Sequence, residues 1–197
     1  MSQARTLTKT ELNRLLKSIA IRRYPERDRA IVLMSYWAGL RVGEIASLKI
    51  ADVLASNGSI QREFWLDPDQ TKGNRGRSVV ISKKLAGELL KYLHFRFEEG
   101  ALSDLSAKQR ALPLFYTQKR QGFNANTLCN YFHHLYRDAN IDGASSHSGR
   151  RTFITQLASK GVSAKVLMSL AGHQHLSTVQ RYIDVNDEMK REAVDLL

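Results

Sequence analysis

The chain has 197 residues, is 43% hydrophobic and 25% charged, and carries a formal net charge of +11 at pH 7. That length and balance fit one generous globular domain or two small ones, and so strong a basic excess favours a polyanionic partner, above all nucleic acid. With Cys129 as the single cysteine there is no internal disulfide; with no apolar run near the ~20 residues of a membrane span, and no apolar stretch behind Met1 that would serve as a secretory signal, a cytoplasmic protein is expected.

In chain order, Thr8-Lys9-Thr10-Glu11 reads as a capping box, and Leu12, Leu15, Leu16 and Ile19 follow at helical spacing. A second helix is predicted over 27–38, ended by Gly39 as C-cap, and a short third over 41–48. A β segment comes next. Residues 59–66 and 77–81 are candidate strands, with Gly73-Asn74-Arg75-Gly76 supplying turn residues between them. Helix resumes over 82–97. A polar connection over 101–113 holds at most a helical turn, and helices follow over 126–138, 147–160, 163–170 and 176–183. Cys129, inside the first of these, is expected to be a buried small side chain. An amphipathic tail helix, 185–197, carries Met189, Ala193, Val194 and Leu197. The fold class is therefore α+β, mainly α: a helical domain with one small antiparallel sheet. No repeat, low-complexity tract or Pro/Gly linker divides it, so a single domain over 1–197 is expected.

Chemistry concentrates in a few short segments. Phosphoryl transfer to a protein side chain needs a nucleophilic oxygen in line and charge neutralisation on the phosphate. Tyr182 suits a reversible attack, because a phenolate of pKa ~10 leaves more readily than an alkoxide. Arg41 and Arg150 are placed to fork onto the non-bridging phosphate oxygens, a task that suits guanidinium geometry. Arg41 lies among apolar residues and glycines in Gly39-Leu40-Arg41-Val42-Gly43-Glu44, and Glu44 one turn on can orient it. His147-Ser148-Gly149-Arg150 sets His147 and Arg150 on one helix face, where His147 either takes the tyrosine proton or polarises the phosphate. Lys72 at the hairpin turn can protonate a departing 5′ oxygen. His173 can donate a hydrogen bond to the phosphate. Arg75, Arg77 and Arg151 are candidate DNA contacts. A metal is not expected, since His173/His175 and His133/His134 lack a clustered Cys, Asp or Glu. No phosphate-binding Gly-x-x-x-x-Gly-Lys-Ser/Thr loop is present either, so no cofactor is called for.

Taken in order, these segments resemble the tyrosine recombinase (phage integrase) family over roughly 7–182. Gly39 to Glu44 is similar to the family's first arginine box, Lys72 to its β-hairpin lysine, and His147-x-x-Arg150 to its His-x-x-Arg box. Leu170-Ala171-Gly172-His173 through Tyr182 is similar to the closing box, with Tyr182 as nucleophile. The resemblance implies a site-specific recombinase that cuts double-stranded DNA through a 3′-phosphotyrosine, frees a 5′ hydroxyl and rejoins strands through a Holliday junction, without ATP or metal. It implies four protomers on two DNA sites, accessory DNA-bending proteins as further partners, and a bacterial or phage setting. Gly149 stands where the family often has leucine, so looser local packing is expected there, and Asp184 replaces a frequent histidine. The family's N-terminal core-binding domain is not in this sequence, which fits either a minimal recombinase of the fimbrial phase-switch type or a fragment of a longer protein. A type IB topoisomerase and a non-catalytic DNA-binding regulator on the same scaffold are the competing readings.

Overall fold

A computed structural model describes residues 4–71, 73–97, 102–182 and 194. Lys72 lies outside the described residues, as does the expected tail helix apart from Val194. Among the described residues there are ten α-helices and a two-stranded antiparallel sheet, the architecture expected.

The first helix, α1 (Lys9–Ala20), starts at the predicted capping box: Thr8 accepts from the Glu11 backbone N–H, and the Glu11 side chain reaches back. Helix α2 (Pro25–Ala38) has almost no polar face. Ala30 to Tyr36 are buried without a break, so this helix runs through the middle of the core rather than along its edge. It packs against α1, α5 (Lys83–Arg96) and α8 (Ser148–Ala158). Gly39, in the left-handed region at φ 64°, ends it and turns the chain toward Arg41. Then come α3 (Val42–Ser47) and α4 (Ile50–Val53), the latter a single turn too short to announce itself by periodicity.

Strands β1 (Glu63–Leu66) and β2 (Arg77–Val80) pair with Phe64 opposite Val79 and Leu66 opposite Arg77. Both are shorter than predicted. Ile60 pairs with Leu54 in an isolated bridge instead of extending β1. Phe64, Leu66 and Val79 face the core, while Trp65 and Val80 face outward. After α5 the polar connection holds one helical turn, α6 (Ala107–Arg110), and α7 (Ala125–Asp138) follows behind its Asn124 cap. Cys129 is only partly buried, its Sγ 3.3 Å from Ser146 Oγ, because its position on α7 faces the loop before α8 rather than the core.

The last helices, α8, α9 (Ala164–Ala171) and α10 (Leu176–Gln180), close the described chain. A small apolar cluster, Ala158, Leu167 and Val179, holds them together beside the main core. Arg41, Arg150, His173 and Tyr182 sit where these helices meet the α2–α3 turn and β2.

Candidate active site

Two arginines from distant parts of the chain grip one buried carboxylate, and a third stands beside them. Arg41 is the N-cap of α3. Its backbone N–H donates to Glu44 Oε2 at 2.8 Å and its Nη1 to Glu44 Oε1 at 2.9 Å. Arg77 grips the same carboxylate from β2, through Nε at 3.3 Å and Nη2 at 2.8 Å. Glu44 is 1% exposed. Burial alone pushes its carboxyl up, but the Arg77 hydrogen bond and charge, joined by Arg41, outweigh that and hold it below the ordinary carboxylate value. Glu44 is therefore a fixed anion that orients both guanidinium groups.

The third arginine, Arg150, reaches from α8 and is also buried. Its Nη1 donates to the Gly39 carbonyl at 2.6 Å, and its Nη2 donates to the Ala171 carbonyl. Those two carbonyls belong to the helix ends on either side of the site, so Arg150 joins the main core to the C-terminal helices. Burial, then the positive charges of Arg41 and Arg77, lower its pKa to about 9, which leaves it charged at pH 7. Three guanidinium groups against one carboxylate leave the cluster with a surplus of two positive charges, a setting made for an anion.

His173 lies just beyond Gly172, the left-handed residue that ends α9. Arg150 Nη2 is 2.9 Å from its Nε2. A guanidinium only donates, so Nε2 accepts and the imidazole proton belongs on Nδ1. Burial and the charges of Arg150, Arg41 and Arg77 lower the pKa of His173 to about 4, so the ring is neutral near pH 7. Its Nδ1 is buried and finds no hydrogen-bond partner among the described residues. The ring stacks on Tyr182, with centroids 5.9 Å apart and planes 20° from parallel. Arg151 covers the Tyr182 ring at 5.3 Å.

The structure thus brings together Arg41, Glu44, Arg150, His173, Tyr182 and Arg151. His147 is exposed at the head of α8, one turn before Arg150. Arg75 is exposed. Arg77 is placed differently: its side chain is buried in the cluster, and Nη1 also donates to the Leu170 carbonyl at 3.0 Å. The alternation along 77–81 carried the signal for this, since it puts Arg77 on the same inward face as Val79 and Ile81. Arg41, Arg77 and His173 also line a cavity of about 560 Å³ that Trp65, Arg75 and Lys165 help to wall. Among the described residues, no group of three His, Cys, Asp or Glu side chains could hold a metal ion.

Comparison with known proteins identifies the family. Residues 5–189 match the model of the phage integrase family, and the chain belongs to that family. It is 34% identical to tyrosine recombinase XerA of Thermococcus kodakarensis over 98% of its own length and 62% of that protein's. The crystal structure of XerA recombinase superposes with a TM-score of 0.74 at 25% identity, over 100% of this chain and 66% of that one. The Tn1549 transposon integrase, solved in complex with transposon right-end DNA, shares the fold with a TM-score of 0.73 at 18% identity, over 100% of this chain and 67% of that one. The chain thus spans about three fifths of the length of the curated relatives it matches. No helix among the described residues is long and apolar enough to cross a membrane.

Proposed function

We propose that this chain cuts and rejoins double-stranded DNA as the catalytic part of a site-specific recombinase, through a covalent link to Tyr182. The observation that carries the reading is the convergence of Arg41, Arg150 and His173 beside Tyr182, with more positive charge than Glu44 can neutralise. A phosphodiester brings the missing negative charge. The Tn1549 transposon integrase, similar in fold, was solved in complex with DNA, which supports the same partner here.

In this account Arg41 and Arg150 bind the non-bridging oxygens of the scissile phosphate. His173, held beside Arg150 and Tyr182, donates a hydrogen bond to the phosphate once DNA is bound. The Tyr182 hydroxyl oxygen attacks phosphorus and loses its proton to His147, which stands one helix turn before Arg150. The phosphorus–O5′ bond breaks, and Lys72 returns a proton to the departing 5′ oxygen. The phosphotyrosine keeps the bond energy, so attack by a partner strand's 5′ hydroxyl restores a phosphodiester and frees Tyr182. Pairing of two DNA sites by four protomers, with accessory DNA-bending proteins in a bacterial or phage cytoplasm, completes the reading.

Replacement of Arg41 or Arg150 by alanine separates catalysis from binding. Each should lower single-turnover DNA cleavage about 10²-fold or more, the usual loss for a preorganised phosphate donor, and weaken DNA binding only a few-fold. Equal losses in both would make the arginines backbone contacts and remove them from the chemistry.

A further inference from the structure

Trp65 is 59% exposed on the outer face of the sheet and lines the same cavity as Arg41, Arg77 and His173. An exposed tryptophan alone is unremarkable. The residue that supports it is not. A Cβ on Gly76 would fall 2.5 Å from Trp65 Cζ2 and 2.8 Å from both Cε2 and Nε1. Gly76 is absent from the positive-φ residues, so the backbone there does not call for glycine. Its lack of a side chain makes room for the indole. The sequence thus seats an aromatic ring on bare backbone at the mouth of a cationic cavity.

The cavity's other walls define what would lie on that ring. Arg75 enters from the turn, Lys165 and Ser169 from α9, and both cations are exposed. Positive charge that tracks a phosphate backbone, beside an aromatic ring, is the arrangement by which proteins hold unpaired nucleotides. About 560 Å³ accommodates a nucleotide. We propose that Trp65 is a stacking shelf for an unpaired base of the DNA strand next to the cleaved phosphate, with Arg75 and Lys165 holding the adjoining backbone. Cleavage frees a 5′ end that must leave its own duplex before it joins another, and the shelf gives the first unpaired base a place to rest. The proposal takes the recombinase reading of the neighbouring arginines as its basis.

The chain has two tryptophans, so Trp37→Phe leaves Trp65 as the sole indole reporter. Titration with a short oligothymidylate should quench its fluorescence, and a blunt duplex of equal length should not. In the otherwise native chain, Trp65→Ala should weaken oligothymidylate binding about 10- to 100-fold by fluorescence anisotropy. Trp65→Phe should retain most of the affinity, and duplex binding should be unchanged. Gly76→Ala, which displaces the ring without removing it, should reproduce the Trp65→Ala loss. Equal quenching by duplex, no quenching, or unaltered single-strand affinity in Trp65→Ala would each overturn the shelf. Scoring covalent DNA attachment on the same wild-type preparation keeps the two readings apart. Adducts without stacking discard the shelf alone, whereas stacking without adducts retains the shelf and counts against the recombinase.

Discussion

Arg77 acts on the site through a carboxylate. Its guanidinium holds Glu44, and Glu44 in turn holds Arg41. We therefore expect Arg77 to be a positioning residue for Arg41. Arg77→Met should slow cleavage about 10²-fold with DNA affinity within a few-fold of wild type, and Arg77→Lys should recover part of the rate. The pH profile distinguishes positioning from a general loss of structure. In the wild type the Glu44 carboxyl is held below its ordinary value, chiefly by Arg77 acting against burial. Its charge, and the activity that depends on it, should therefore be lost only as pH falls through that depressed value. Without Arg77, burial dominates, and the acid limb of the cleavage profile should move to higher pH. An unshifted limb would leave Arg77 with a structural role only. The link between Arg41 and Glu44 was legible in the sequence because the two are three residues apart. The Arg77 contact spans 33 residues and needed the sheet register to appear.

Among the elements, the crossing of α2 and α8 sets where Arg150 stands. Gly149 suggested loose packing in the sequence, and the structure shows the reverse. A Cβ there would lie 2.8 Å from Ser35 Oγ, 3.1 Å from Ser35 Cβ and 3.3 Å from the Tyr36 backbone nitrogen. Glycine lets the helices approach until nothing larger fits. Gly149→Ala should cost about 1–3 kcal/mol by overpacking in urea unfolding, and adding Ser35→Gly should restore most of it. A neutral Gly149→Ala would mean that the two helices yield easily at this crossing. Helix positions were well legible where a cap marks the start chemically, as Thr8 does, whereas the Asn124 cap that starts α7 became visible only in the structure. The strands were overrun, since the apolar content of 59–66 does not reveal that Ile60 bridges to Leu54.

On the scale of the whole molecule, one basic chain carries two apolar clusters, and the site forms at their junction. The main core places Arg41, Glu44 and Arg77, and the small cluster around Leu167 and Val179 places His173 and Tyr182. Arg150 spans the two through the Gly39 and Ala171 carbonyls. The order of the sequence motifs pointed to Arg41, Arg150, His173 and Tyr182, and the buried carbonyls that aim Arg150 became visible only in three dimensions. The central claim is that Tyr182 becomes bonded to DNA. The most direct measurement is covalent trapping in cells expressing the wild type or Tyr182→Phe, with denaturing capture of protein–DNA adducts and sequencing of the attached DNA. The account predicts adducts in the wild type alone, concentrated at one or a few loci, while Tyr182→Phe still binds DNA. Adducts that persist in Tyr182→Phe would contradict it.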